Sequence, residues 1–265
     1  MRQKRILTGL LLLCVIVFAG FLTMLVKTLI PYQEADGVYE EISRDSVQIA
    51  ASEGRKEPLN QEQGQVVSEI CPITVDFQVL KALNPDIVGW IYGEDTKINY
   101  PVVQGKDNEF YLTRMPDQKE NASGSIFMDC RNREMSSLTN QILYGHHMKN
   151  GSMFAGLMKY KSQEYYREHS YFFYLTEDKK YRLEILRGQV TTDASDIYRI
   201  GFSTEEEKEA CVSRWNKTSC LTPLFIEAVD APLMTLSTCS YETADARFVV
   251  QGQLIELGNE QTICK

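Results

Sequence analysis

The first pattern along the chain is an apolar stretch near its N-terminus. Residues 6–26 contain no charged side chain, and Arg2, Lys4 and Arg5 precede them. Such a run, built as a helix at about 1.5 Å per residue, is roughly 31 Å long and matches the hydrocarbon core of a bilayer. The basic end indicates a cytoplasmic N-terminus. We therefore expect residues 1–30 to be a cytoplasmic tip and a single membrane anchor, with the rest of the chain extracellular.

A cleaved signal peptide is the alternative interpretation of this stretch. The apolar run is longer than the usual signal core, and no clear small-residue cleavage site follows it closely, so the uncleaved anchor is favoured. Residues 31–70 are mostly polar, which predicts a stalk or a loosely helical spacer between membrane and domain. From about Cys71 the pattern becomes that of a folded domain, covering residues 71–265.

Within this domain the pattern predicts strands with a few short helices. Thr74 or Asp76 is placed to cap a helix that Asn84-Pro85 ends, and Ser203 with Glu206 predicts a capping box at the start of a second helix. Runs of alternating or β-branched and aromatic residues predict the strands. The predicted strands are 87–92, 97–103, 125–129, 141–148, 171–175, 181–186, 189–200, 234–239 and 248–257. Many short strands with helical insertions indicate a closed or nearly closed β-barrel.

Cys239 and Arg247 lie on either side of a short polar connection between two of these strands. A thiol at a strand end, with a permanent cation across a short loop, is a candidate nucleophile, because the cation favours the thiolate or binds an anionic intermediate. On this stretch alone, a buried Cys beside a surface Arg explains the pattern equally well.

His146 and His147 lie near the end of the predicted strand 141–148. Either one is a candidate general acid or base, because imidazole titrates near neutral pH. Adjacent strand residues point to opposite faces, and no cluster of Cys or His supports them, so a metal pair is disfavoured. Two strand-end histidines without a chemical role remain the alternative.

The composition argues against several classes of function. The net charge of -8 argues against a general nucleic-acid-binding role. The chain has 7 Cys, an odd number, and no Cys-x-x-Cys pair, which argues against a zinc ribbon and against a fully paired disulfide framework. We expect no cofactor and no metal, and we expect Cys239 to be a free thiol.

Four stretches together resemble class B members of the sortase family. They are Tyr100–Gly105, Gly124–Asp129, Ile142–His147 and Met234–Cys239. The pairing of Tyr-Gly-His with Thr-Leu-Ser-Thr-Cys is the most specific feature, and the resemblance extends from about Trp90 to Leu257. It implies a mainly β fold: a closed sortase barrel of seven to eight strands, with an N-terminal helix and a helix in the connection before the Cys-bearing strand.

The resemblance also implies the roles of three residues. Cys239 would attack the carbonyl of a threonine in a C-terminal sorting signal to give a thioacyl-enzyme. His146 would protonate the departing amine and later deprotonate the incoming one. Arg247 would orient the substrate and stabilise the oxyanion. By position in the family pattern, four further residues would border the substrate groove: Ser237, Asn108, Ile197 and Tyr198. His147 remains the fallback for the base, and Glu242 or Asp245 is placed to orient His146.

The implied function is that of a membrane-anchored cysteine transpeptidase. Its partners would be secreted proteins with a sorting signal and the amine of a lipid-linked cell-wall precursor. Polymerisation of pilins is one alternative, and an assembly or binding module that keeps the fold without catalysis is another. A papain-type hydrolase is disfavoured, because the nucleophile of that family usually opens a helix near the start of the domain, whereas Cys239 ends a late strand.

Overall fold

The computed structural model of the chain describes residues 2–49, 70–240 and 245–258. Within them, the α-helices are α1 (Arg2–Ser46), α2 (Phe77–Leu83), α3 (Gln163–Glu168) and α4 (Glu205–Thr218). The strands are β1 (Val47–Ile49), β2 (Ile73–Val75), β3 (Ile87–Tyr92), β4 (Asn99–Val103), β5 (Ile126–Met128), β6 (Asn140–Tyr144), β7 (Tyr171–Leu175), β8 (Lys180–Thr192), β9 (Leu233–Cys239) and β10 (Ala246–Glu256). Three 3-10 helices cover Phe110–Leu112, Ala155–Lys161 and Asp196–Tyr198.

Eight of the strands close into a barrel in the order β10-β8-β7-β3-β4-β5-β6-β9, and β1 pairs only with β2. This confirms the predicted closed barrel, with α4 in the connection before β9. Alternate residues of the strands fill the interior, among them Met234, Leu236, Phe248 and Val250, each at most 1% exposed. Because closure pairs every strand on both sides, the sheet has no free edge.

Several elements begin and end where the local sequence predicts. Strands β3 and β7 have the predicted bounds. Helix α2 is capped by Asp76, whose carboxylate accepts from the backbone N–H groups of Gln78 at 2.9 Å and Val79 at 3.2 Å. Asn84 follows its last residue in an extended conformation, as expected of a residue before proline.

Other boundaries differ from the prediction, and β6 ends at Tyr144 rather than at residue 148. The two strands predicted at 181–186 and 189–200 are one strand, β8, which ends at Thr192 because its partner β10 begins opposite it at Ala246. The capping box is displaced by one residue. Thr204 caps α4 by accepting from the N–H of Glu207 at 3.2 Å, and the Glu207 carboxylate accepts from the N–H of Ser203 at 2.7 Å.

Helix α1 continues past the predicted anchor through the first part of the predicted spacer and packs against the barrel. Its 45 residues include positions 31–46, which the polar composition assigned to a spacer. Ala35, Tyr39 and Ile42 lie on one face of the helix and are buried, a helical spacing that the polar residues between them conceal. Among the residues that the structure describes, no helix is both long and apolar enough to cross a membrane. The remainder of the predicted spacer, residues 50–69, lies outside the described residues.

Four strands have an end at one mouth of the barrel. β6 and β9 are parallel neighbours, so both end there, and β10 begins there because it is antiparallel to β9. β5, antiparallel to β6, also begins at this mouth. Helix α1 contacts the chain just before β5, where the Tyr39 hydroxyl donates to the Gly124 carbonyl at 2.6 Å. The topology therefore gathers the residues after β6, at the end of β9 and at the start of β10.

Candidate active site

Cys239 and Arg247 form a directly opposed pair. Cys239 closes β9, Arg247 is the second residue of β10, and the two are partners in the antiparallel register. Opposed residues project from the same face of a sheet, with Cβ atoms about 4.5–5.5 Å apart. The thiol and the cation therefore emerge side by side, and Cys239 is a free, half-buried cysteine.

His146 follows β6 on the other side of β9. The last paired residues of β6 and β9 are Tyr144 and Ser237. Two residues further along each chain segment, the same register sets His146 level with Cys239 on the same face of the sheet. The Nε2 atom of His146 lies 2.6 Å from the carbonyl oxygen of Leu112. Because a carbonyl can only accept, Nε2 carries the hydrogen, and Nδ1 is the nitrogen left to exchange a proton.

All three side chains line one cleft of about 640 Å³. The outer face of β6, β9 and β10 is its floor, and the segments 108–112 and 193–199 contribute its two walls. Six of the seven residues predicted for the site line this cleft: Asn108, His146, Tyr198, Ser237, Cys239 and Arg247.

Ile197 is the exception, and its predicted place on the groove is a correction. It is fully buried and packs in a cluster with Trp215 and Val249 beneath the cleft wall. Successive side chains of a 3-10 helix point about 120° apart, so Ile197 faces the sheet while its neighbour Tyr198 faces the cleft. Ile197 supports the wall from behind.

Tyr198 connects this wall to the strand that carries the thiol. Its hydroxyl lies 2.8 Å from the Ser237 Oγ atom, and its ring stacks on Tyr144 with 6.1 Å between centroids. Burial raises the pKa of Tyr198 to about 12, although the Ser237 hydrogen bond and the nearby Arg247 cation act in the opposite direction. Tyr198 is therefore a neutral phenol at physiological pH.

Sequence reasoning missed a buried carboxylate behind the cleft. Asp129 is fully buried and accepts from Arg131 Nε at 2.9 Å, from Arg131 Nη2 at 2.7 Å and from the Tyr144 hydroxyl at 2.9 Å. Burial alone would raise the pKa of Asp129, but these hydrogen bonds outweigh burial and lower it. Arg131 itself lines the cleft. The sequence signal that could have identified this carboxylate is the pair of opposite charges, Asp129 and Arg131, directly after a buried strand.

Asn108 and His147 make hydrogen bonds at the edges of the site. The side-chain oxygen of Asn108 accepts from the Cys130 N–H at 2.8 Å, which leaves its amide nitrogen for a ligand. His147 does not line the cleft; its Nδ1–H donates to the Cys239 carbonyl at 3.0 Å and supports the strand end. Asp245, which the structure describes, is exposed and forms no hydrogen bond with His146, and Glu242 lies outside the described residues.

This arrangement suits nucleophilic attack on a carbonyl. Within the described residues, the Arg247 guanidinium donates to the Ala246 carbonyl at 3.2 Å, which uses one of the five donors that a guanidinium can offer to an anionic oxygen. A thiol, an imidazole and a guanidinium thus share one cleft. In the part of the chain that the structure describes, no group of three or more His, Cys, Asp or Glu residues is arranged to hold a metal ion.

Comparison with known proteins agrees with this geometry. The model of the family described as "Sortase domain" matches residues 91–255. Sortase B of Staphylococcus aureus is 31% identical over 259 residues, covering 97% of this chain and 100% of that protein. The S. aureus sortase B–substrate complex superposes with a TM-score of 0.65 at 34% identity, covering 69% of this chain and 85% of that one. A structure of sortase B complexed with triglycine has a TM-score of 0.65 at 33% identity, covering 69% of this chain and 86% of that one. This chain belongs to the sortase family, and it is a class B-like cysteine transpeptidase.

Proposed function

We propose that the protein cuts secreted proteins after the threonine of a C-terminal sorting signal and joins them to an amine of a cell-wall precursor. The observation that carries this proposal is the opposed pair of Cys239 and Arg247, with His146 level with them in the same cleft. The S. aureus sortase B–substrate complex, to which this chain is similar, supports substrate binding by this chain as well.

In the first half of the reaction, the Cys239 thiol gives its proton to His146, Sγ attacks the threonine carbonyl carbon, and the peptide C–N bond breaks as the tetrahedral intermediate collapses. The departing amine takes its proton from His146, and Arg247 donates hydrogen bonds to the oxyanion of the tetrahedral intermediate. In the second half, an acceptor amine attacks the thioester carbonyl carbon. His146 takes the proton of that amine, and the Cys239 sulfur leaves.

An amine acceptor is supported by the sortase B structure that contains triglycine, a peptide with a free N-terminal amine. The cleft wall also carries Asp193, an exposed carboxylate that would attract an ammonium group before it loses its proton. Triglycine, a diaminopimelate-containing peptide and a lysine-containing pilin peptide are the three acceptors to compare, because they separate wall anchoring from pilin assembly.

The test uses the full chain with candidate sorting peptides, and intact-mass and peptide mass spectrometry as the measurement. We expect a thioacyl adduct on Cys239, its transfer to an added amine, and no adduct in Cys239→Ala. The matched control is Cys220→Ala, which removes another free and exposed thiol and should leave the adduct in place. An adduct that persists without Cys239 would contradict the proposal, and cleavage without transfer at saturating amine would favour a hydrolase.

We further propose that α1 holds the enzyme at a membrane with its N-terminus cytoplasmic and its barrel outside. The support is the charge-free run 6–26 after a basic end, together with the exposure of Leu11, Ile16 and Phe18 on α1. Helix α1 also contacts the barrel at the mouth that holds Cys239, so a membrane site for α1 would keep the cleft near lipid-linked acceptors. Release of the full chain from membranes by alkaline carbonate would contradict this placement.

A further inference from the structure

A chain of buried polar side chains crosses the outer face of the sheet below the cleft. It consists of Arg187 on β8, Gln251 on β10, Thr235 on β9 and Asn140 on β6, each at most 1% exposed. We call these four residues the polar ladder. Arg187 Nη1 donates to Gln251 Oε1 at 2.6 Å, Gln251 Nε2 to Thr235 Oγ1 at 2.8 Å, and Thr235 Oγ1 to Asn140 Oδ1 at 2.9 Å.

Both ends of the polar ladder bind the connection between β8 and β9, which covers this face. Asn140 Nδ2 donates to the carbonyls of Ile197 and Arg199, each at 3.0 Å. At the other end, Arg187 Nε donates to Asn216 Oδ1 of α4 at 2.7 Å, and its Nη2 donates to Glu227. The two carbonyls held by Asn140 belong to the residues on either side of Tyr198, the side chain that forms the cleft wall.

The chemistry of position 140 is specific to an amide. Both amide hydrogens are used on the two carbonyls, and the amide oxygen receives the single hydroxyl hydrogen of Thr235. A carboxylate has no hydrogens for those carbonyls, and an aliphatic side chain would leave them unpaired in the interior, which is costly. The hydrogen bonds of Asn140 therefore fix both the distance and the direction of the wall backbone. The apolar packing beneath the wall is not directional and does not fix them.

This constraint reaches the substrate cleft through one side chain. The Tyr198 hydroxyl bonds Ser237, which lies two residues before the thiol on the same strand face. A shift of the backbone at 197–199 would move the phenol away from Ser237 and change the width of the cleft beside Cys239.

We infer that Asn140 is a positioning residue for peptide recognition: by holding the carbonyls of Ile197 and Arg199, it fixes the Tyr198 wall at the separation from Cys239 that a sorting peptide needs. The kinetic part of this inference rests on the proposed transpeptidation. The position of the wall itself does not depend on it.

The test compares Asn140→Asp with the matched control Gln253→Glu in the full chain. Gln253 is also a buried amide on the outer face of the sheet, and its Nε2 and Oε1 bind the backbone of Ile226 at 3.0 Å and Ala228 at 2.7 Å, at the far end of the same connection. Its Nε2 also donates to the Glu184 carboxylate at 2.7 Å, so Gln253→Glu disturbs its surroundings at least as much as Asn140→Asp does and is the stricter control. In Asn140→Asp we expect KM for the sorting peptide to rise about tenfold, as expected for the loss of a buried hydrogen bond. In Gln253→Glu it should stay within about twofold, although both variants lose thermal stability.

Two further measurements separate wall position from general damage. The rate at which iodoacetamide alkylates Cys239 should stay within about twofold in both variants, because Cys239, His146 and Arg247 themselves are unchanged and the reagent is too small to need the Tyr198 wall. Hydrogen exchange of the backbone at 193–199 should quicken in Asn140→Asp and not in Gln253→Glu. Thr235→Val is the milder variant, to be used should Asn140→Asp fail to fold. It removes the hydroxyl bonded to Asn140 and retains the bonds from Asn140 to the wall, so a smaller rise in KM is expected.

The inference is overturned if folded Asn140→Asp keeps its KM and its exchange pattern, or if Gln253→Glu changes both to the same degree. Failure of the wild-type chain to form a thioacyl adduct would instead count against the proposed function. The exchange measurement would still decide whether Asn140 holds the wall.

Discussion

The two outer sides of the barrel are covered in different ways. On one side, which we call the α2 side, the sheet is covered by the last turns of α1 together with β1, β2 and α2. These elements pack on β3, β4, β5 and β7 through apolar and aromatic residues such as Ile42, Leu80 and Trp90. On the other, the α4 side, residues 193–232 cover β6, β9, β10 and β8, and the polar ladder lies between cover and sheet. Apolar contact tolerates small displacements, whereas hydrogen bonds fix distance and angle.

The side with the directional cover is the side that carries the cleft. An apolar cover would tend to be at least as stable, because buried charged groups lose much of their hydration energy. We therefore take the polar ladder as a device that sets position on the α4 side, while the α2 side supplies stability. Variants on the two sides test this division.

The largest expected difference is between Arg187→Met and Leu80→Met. Removing the buried guanidinium leaves Gln251, Asn216 and the Glu227 carboxylate without their partner, and we expect the free energy of unfolding to fall by about 3–5 kcal/mol. Leu80 is also fully buried, but Leu→Met conserves volume and should cost less than about 1.5 kcal/mol. Urea unfolding at neutral pH measures both. Equal losses would mean that the two covers are held by the same kind of interaction.

A smaller effect is expected where the two sides meet, at Asp129. Its folded-state pKa is lowered, because the hydrogen bonds from Arg131 and Tyr144 outweigh burial. A lowered pKa means that the ionised carboxylate stabilises the fold fully above its unfolded value near 3.8 and that this contribution is lost as the pH falls through the folded pKa. Asp129→Asn should therefore lower the free energy of unfolding by about 1.5–3 kcal/mol at pH near 7.

The control for this prediction is the pH dependence itself. The difference between wild type and Asp129→Asn should shrink as acid protonates the wild-type carboxylate, and unfolding curves at neutral and acidic pH would show it. A difference that stays constant through the acidic range would mean that shape, rather than charge, decides the cost of the substitution.

The contrast between the two sides also explains what the sequence could predict. Strands β3 and β7 and the cap at Asp76 follow from local periodicity and capping chemistry, which need no knowledge of the tertiary fold. The end of β8 does not, because it is set by the pairing partner β10, which begins at Ala246 opposite Thr192. Arg187 and Asn140 carry no local signal of burial, since a polar residue in an alternating strand usually indicates solvent.

The residues of the site also divide into those that the local sequence predicts and those that only the tertiary fold reveals. The spacing of Cys239 and Arg247 around a short connection predicts their approach from the strand pattern alone, and the structure places them opposite each other. The choice of His146 over His147 rests on the family motif, because both follow the same strand. Ile197 was placed on the groove and Asp129 was missed, because only packing shows which way a loop residue faces and which carboxylate a barrel encloses.

The smallest expected effects come from the two helix caps, one on each side. Asp76→Ala and Thr204→Ala each remove a side chain that accepts from backbone N–H groups at a helix start, and each should lower the free energy of unfolding by about 1 kcal/mol. Neither should change KM for the sorting peptide by more than about twofold, because the cap of α4 is separate from the hydrogen bonds that hold residues 197–199. Thermal unfolding and peptide kinetics measured on the same preparations decide the matter. A rise in KM for Thr204→Ala as large as that for Asn140→Asp would show that the α4 cover moves as one body, and the distinction between a positioning residue and the rest of its cover would then disappear.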